Sequence, residues 1–272
     1  MTDHSQQETF SAQIRKTIIS TADYCSGKVH WGSSLSCVEI LNALCTFLLQ
    51  SPNINTVQDI NERIIVSKGH AALALYAVLF EHGLIEDFRT DYQKDGSCFP
   101  EELTADTFLG ISCSTGSLGL ALPYVAGKAL KSKLNNEDKK FYVIMGDGEC
   151  DEGSVWESVM FSGHNKLDNL CVIIDRNHLQ ADGNTEEIVT LNALEANFRS
   201  FGWNAVTVCG HSYSELTDAV STSVKDKPTV IIANTTKGKG ISFMENDFAW
   251  HDRPLNREFL EQAKQEVGLC LK

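Results

Sequence analysis

Phe141-Tyr142-Val143-Ile144-Met145-Gly146-Asp147-Gly148-Glu149 joins an unbroken apolar run to a Gly-Asp-Gly turn, and about thirty residues later Ile173-Ile174-Asp175-Arg176-Asn177 ends a second apolar run in an acid and an amide. Continuous apolar runs closed by turn residues read as strands buried on both faces, as in a parallel sheet. Gly153 to Lys166, between them, reads as one helix. Strand, turn, helix and parallel strand set the two loop tips side by side at the carboxyl edge of the sheet, where open α/β folds bind ligands. One carboxylate, one amide carbonyl and a following backbone carbonyl form an all-oxygen partial shell, suited to a hard divalent cation that completes its shell with phosphate and water. Taken singly, Asp-Gly also makes hairpin turns, and Asp-Arg-Asn also caps helices or closes loops. The combination favours a diphosphate anchor.

Outward from this pair, strands are predicted at Arg63–Ser67, Phe141–Met145, Leu170–Asp175, Ala205–Val208 and Thr229–Asn234. Helices are predicted at Gln7–Tyr24, Ser36–Leu49, Ala71–Glu81, Leu118–Lys133, Val155–His164, Leu191–Phe201 and Tyr213–Val224. The alternation implies an α/β fold, a mainly parallel sheet with helices on both faces, over a single domain 1–272 whose segment from about 241 is irregular. Ser36-Cys37-Val38-Glu39 fits a capping box and Gly202 a helix stop, while Tyr92 to Gly110 is a long irregular connection better placed near a site than in a core.

A formal charge of −13 argues against affinity for nucleic acid or anionic membranes, and no apolar run is long enough to span a bilayer. The polar start, Met1 to Glu8, has no secretory pattern, so a cytoplasmic location is expected. The nine cysteines are odd in number and lack Cys-x-x-Cys spacing, which makes them small buried hydrophobes, with Cys150 beside the anchor the one to watch.

Signatures of nucleotide phosphate loops, dinucleotide folds, zinc proteases and nucleophile elbows are absent. Thr115-Gly116-Ser117-Leu118-Gly119 reads as a glycine-rich turn opening a helix, either a packing turn or one that passes backbone close to a flat ring or an anion. Histidine moves protons near neutral pH, and His30, His70 and His251 stand in turns, whereas His164 lies within a helix and reads as structural.

Gly146-Asp147-Gly148 through Asn177 resembles the signature of thiamine diphosphate enzymes. The fuller string Gly146 to Glu157 resembles the transketolase branch, in particular the separate amino-terminal subunit of transketolases split over two chains, with similarity from about Ala22 to about His251. That resemblance implies Mg²⁺ (or Ca²⁺) on Asp147, Asn177 and the Leu179 carbonyl, and close backbone approach to the diphosphate at Gly148. It also implies the aminopyrimidine against Gly116 and Leu118, with His30, His70 and His251 lining the channel above the thiazolium. Glu152 becomes a residue of the subunit interface, while Glu149 and Asp151 stay solvated bystanders. A partner chain, the C-terminal half, would supply a pyrimidine-side glutamate and complete a heterotetramer acting on sugars or sugar phosphates; this chain alone would be inactive.

Two departures stand out. Trp31 follows His30 where the family has proline and is expected to narrow or reshape the channel, and Cys98-Phe99-Pro100-Glu101 stands for Gly-His-Pro-Glu, so Phe99 is expected to replace a channel histidine and alter the preferred ketose. The alternatives are the α-subunit of a 2-oxo acid dehydrogenase or decarboxylase, and a non-catalytic homologue that keeps the fold.

Overall fold

The structure, a computed structural model, describes residues 4–25, 27–191 and 193–269. Its elements run α1 (His4–Thr21), α2 (Trp31–Ser36), α3 (Val38–Leu49), α4 (Val57–Arg63), β1 (Ile64–Val66), α5 (Ala72–Glu81), α6 (Ala121–Leu134), β2 (Phe141–Gly146), α7 (Gly153–His164) and β3 (Leu170–Arg176). They continue through α8 (Thr185–Ile188), α9 (Leu194–Ser200), β4 (Asn204–Cys209), α10 (Tyr213–Ser221), β5 (Thr229–Asn234) and α11 (Arg257–Glu266).

The five strands form one parallel sheet in the order β1-β2-β3-β5-β4. The period of two along each strand divides its side chains between two cores. Tyr142, Ile144, Cys171, Ile173, Ile231 and Ala233 face the layer that holds α1, α2, α3, α5 and α10. Val143, Met145, Val172, Ile174, Val230 and Ile232 face the layer of α6, α7 and α9. Both sides being covered explains why the strand sequences are continuously apolar rather than alternating. Register pairs Gly146 with Asp175, so the turns that follow β2 and β3 leave the sheet at the same level.

Several local expectations are corrected. Ser36 belongs to α2 and its hydroxyl bonds the Ser33 carbonyl and Asp175; Glu39 is turned to Arg15, so no capping box forms there. The chain's real capping box is Thr56/Asp59 at the head of α4, a helix that takes the residue Arg63 from the predicted first strand. The segment after 241 is irregular only to Asn256, whose side chain caps α11; Phe259, Leu260 and Val267 then pack against the main core. Gly202, with φ of 86°, does end α9: its amide and that of Trp203 return to Arg199 and Phe198 carbonyls. Asn192, in the predicted 191–201 helix, and Cys270 lie outside the described residues, as do Met1 to Asp3.

Candidate active site

At the carboxyl edge of β1, β2 and β3 lies a cavity of about 380 Å³, within the size range of small-molecule sites. Its lining includes His30, His70, Gly116, Leu118, Asp147, Gly148, Glu152, Asn177, Leu179 and His251, the residues to which the resemblance gave a metal, cofactor, channel or interface role.

The oxygen-rich end is built by the turns after β2 and β3. Asp147 is buried; its Oδ1 accepts from the Gly148 amide (2.9 Å), and its Oδ2 from the His178 amide (2.7 Å) and the Arg176 guanidinium (3.0 Å). Burial, with Asp175 nearby, pushes its carboxyl up from the ordinary value, against the pull of Arg176. Asn177 donates its Nδ2 to Asp175 (3.3 Å), which fixes the amide so that Oδ1 accepts from the Leu179 amide (3.1 Å). His178, between them, has φ of 65°, the left-handed turn that carries the chain to Leu179. The Leu179 and Gln180 carbonyls both accept from the Lys237 ammonium (3.1 and 3.2 Å), so this loop already directs carbonyl oxygens at a cation. Asp147 Oδ1, Asn177 Oδ1 and Leu179 O are a hard all-oxygen set, and they fit a divalent ion of the Mg²⁺ or Ca²⁺ type. Two glycines of the cavity wall let side chains pack close against the backbone: a Cβ on Gly148 would stand 2.7 Å from Gln180 Cγ, and one on Gly116 would stand 2.6 Å from Glu102 Oε2.

The floor is ionic. Lys68 and Asp175 are fully buried and paired, with Ser36, Thr235 and Asn177 also donating to the carboxylate. Burial opposes both charges, yet each partner holds the other ionised: Asp175 lies below and Lys68 above its ordinary pKa. Lys237, buried with no carboxylate in contact among the described residues, is pulled down to about 8 by burial and by Lys68.

In the same cavity His30, His70 and His251 gather with ring centroids 5.1 to 5.3 Å apart. His251 Nδ1 accepts from the Lys237 ammonium (2.9 Å), and burial with that cation lowers its pKa to about 3. Burial and Lys68 likewise hold His70 well below the ordinary value. His30 differs: its Nδ1 meets the Glu101 carboxylate at 2.9 Å.

Some expectations fail here. Phe99 does not line the cavity; it is buried among Tyr76 and Phe88, with ring centroids 5.2 and 5.8 Å away, and Glu101 and Glu102 reach the site instead. Trp31 does not narrow the channel either: it is buried, and its indole donates to the Arg253 carbonyl (3.0 Å), fastening the segment that carries His251. Glu149 is no solvated bystander. It is buried in the cavity wall and accepts from Ser67 and from the Gly119 (2.9 Å) and Gly146 (3.4 Å) amides, joining three loops. Glu152 is exposed on the rim, and His164 is exposed at the end of α7, away from the cavity. Cys150 is a fully buried thiol whose pKa burial drives well above its ordinary value, so it packs rather than reacts.

Sequence reading missed Lys68 and Lys237. Lys68 stands two residues before His70, in the turn Ser67-Lys68-Gly69-His70, and Lys237 lies inside Thr236-Lys237-Gly238-Lys239-Gly240, a glycine-rich stretch soon after β5 that was a usable signal.

Residues 10–271 match the family model of the transketolase, thiamine diphosphate binding domain. The chain is 37% identical over 244 residues to the 6-deoxy-6-sulfo-D-fructose transketolase subunit SqwG of Clostridium sp. (strain MSTE9), covering 89% of each. It is 36% identical to one of the subunits of the apulose-4-phosphate transketolase of Phocaeicola vulgatus, covering 96% of this chain and 93% of that one. Against the transketolase of Campylobacter jejuni the TM-score is 0.81 at 26% identity, covering 97% of this chain and 42% of that one. The chain thus spans about two fifths of the solved transketolase and nearly the whole of either separate subunit. Its sheet, its cavity and these likenesses agree, and the chain belongs to the transketolase family, as the thiamine diphosphate-binding, amino-terminal subunit of the two-chain type.

Proposed function

We propose that this chain holds the diphosphate of thiamine diphosphate, through Mg²⁺ (or Ca²⁺), in a two-chain transketolase that moves a two-carbon ketol unit from a ketose donor to an aldose acceptor. The observation that carries the reading is a single cavity lined both by the oxygen ligands and by the three histidines. Asp147, Asn177 and the Leu179 carbonyl are the metal ligands in this reading, and Gly116, Leu118 and Gly148 flank the cofactor. Bound thiamine diphosphate supplies the nucleophilic carbon and the electron sink that carbon–carbon cleavage requires. This chain's own groups do the rest. His70 and His251, kept neutral by burial and nearby ammonium groups, accept or donate hydrogen bonds to substrate hydroxyls without carrying charge. His30 accepts protons.

The similar subunits are named for 6-deoxy-6-sulfo-D-fructose and apulose-4-phosphate, each a ketose with an anionic group, and we assign the donor to that class. Glu102 lines the cavity of this chain and Glu101 meets His30 behind it, so the anionic end of such a donor lies away from them, on the side the partner covers. Glu152 on the rim, together with the exposed Leu120 just before α6, Tyr124 of α6 and Met160 and Phe161 of α7, marks the surface where the C-terminal half docks, in a heterotetramer. The described residues contain no helix long and apolar enough to cross a membrane, and we place the enzyme in the cytoplasm.

Ketol transfer is measured with cofactor and Mg²⁺, with and without the complementary half. Turnover only in the mixture is expected. Full turnover by this chain alone, or failure to bind the cofactor in calorimetry, overturns the reading.

A further inference from the structure

The trio of histidines is chemically unequal. Among the described residues, His251 has an ammonium on its Nδ1 and His70 has no side-chain hydrogen bond, whereas His30 Nδ1 faces a carboxylate, Glu101 Oε1, at 2.9 Å. A carboxylate only accepts, so the His30 proton sits on Nδ1 and the lone pair on Nε2, which has no protein partner among the described residues. Both side chains are mostly shielded from solvent, at 14% and 27% exposure, so the pair is fixed in geometry and weakly screened. Other groups around His30 strengthen the polarity. Glu102 stands on the same loop as Glu101, and Asp252, on the segment of His251, completes a His30-Glu101-Asp252 cluster whose ligand atoms lie within 4.8 Å of one another. The opposing charges are Lys28, which pairs with Asp252 (3.2 Å) on the outer side, and Lys68 and Lys237, which act on His70 and His251.

We propose that Glu101 is a positioning residue: it fixes the tautomer of His30, and its carboxylate makes His30 the one member of the trio that takes up a substrate proton. The inference rests on the histidine reading above. In the step concerned an O–H bond of a substrate hydroxyl breaks and an Nε2–H bond forms; the imidazolium charge is matched by Glu101, and the proton returns to a substrate oxygen later in the cycle. The low pKa values of His70 and His251 agree with this division of labour.

The test is Glu101→Gln, which keeps the shape and removes the charge, studied in the complete two-chain enzyme with cofactor and Mg²⁺. Expected is a fall in kcat of about tenfold or more with KM within about threefold. Nuclear magnetic resonance of His30 in this chain alone is expected to show the Nδ1–H tautomer, and in Glu101→Gln, whose amide can accept or donate, a mixture with the Nε2–H form, a readout that needs no turnover. Glu101→Asp is expected to restore part of the rate. In a His30→Asn background Glu101→Gln is expected to cost nothing further. A slow His30→Asn enzyme together with an unchanged kcat and an unchanged His30 tautomer in Glu101→Gln overturns this proposal alone. Unchanged turnover in His30→Asn overturns the histidine reading, and this proposal with it.

Discussion

Replacing Lys68 by methionine removes one charge from the ionic floor while keeping an unbranched side chain of similar length. Lys68 and Asp175 are 1% and 0% exposed, so the variant leaves a carboxylate without its ammonium in a dry interior. Breaking such a pair from one side costs about 3–5 kcal/mol. Three donors remain on Asp175, from Ser36, Thr235 and Asn177, which places the expected loss near ~3 kcal/mol, toward the lower end of that range. For a chain of this size that is a fall in Tm of about 10 °C. The linkage signs define the window. Asp175 is held below its unfolded pKa, so its contribution is complete above about pH 5 and is lost as pH falls through the lowered folded value. Lys68 is held above its unfolded pKa, so its contribution is complete below about pH 9 and is lost as pH rises through the folded value. The penalty is therefore expected to be flat between those limits, measured by urea and thermal unfolding of the chain. Asp175→Asn is expected to cost less in the Lys68→Met background than in the wild type. A loss under about 1 kcal/mol, or two penalties that simply add, would refute the argument that the pair acts as one buried unit.

Asp147→Asn is expected to weaken Mg²⁺ and thiamine diphosphate binding together, by about tenfold or more in calorimetry, because one charged ligand oxygen is lost; unaltered affinity would contradict the ligand assignment. His70→Ala is expected to cut kcat by about a hundredfold while the cofactor Kd stays within about threefold. Phe99→His, which the sequence alone favours as a way to improve sugar-phosphate use, is expected instead to lower the Tm without gain in kcat/KM, since the ring belongs to an aromatic core. Glu39 is buried against Arg15 and His211; burial opposes its charge, but these partners hold its pKa down to about 2, so it stabilises the fold above its unfolded value near ~4 and that support is lost as pH falls toward 2. Glu39→Gln is expected to flatten acid unfolding over that range, by about 3 kcal/mol at most.

The fold class and the side-by-side placement of the turns after β2 and β3 were legible in the chain itself because their causes are local. Continuous apolar runs such as Phe141–Met145 and Leu170–Ile174 specify strands covered on both faces, and a turn directly after such a strand must lie at the carboxyl edge. Resemblance to transketolases drew the histidines and Glu152 into the same picture. The short helix α4 and the late helix α11 carried readable caps, Thr56/Asp59 and Asn256, but each has few apolar positions and gains its stability from packing.

What only tertiary structure decided is where each polar side chain finds its partner. Ser36 looked like a cap by spacing and instead reaches Asp175, 139 positions away; Glu149 looked solvated and instead ties three loops; Phe99 looked like a channel wall and instead joins Tyr76 and Phe88. Burial makes an unpaired charge so costly that long-range pairs such as Lys68–Asp175 and Arg15–Glu39 become obligatory, yet no neighbour in sequence announces them. Backbone preference and apolar period act over a few residues and so can be read along the chain; charge pairing acts through space, and the distance between His30 and Glu101 existed only once the sheet had brought their loops together.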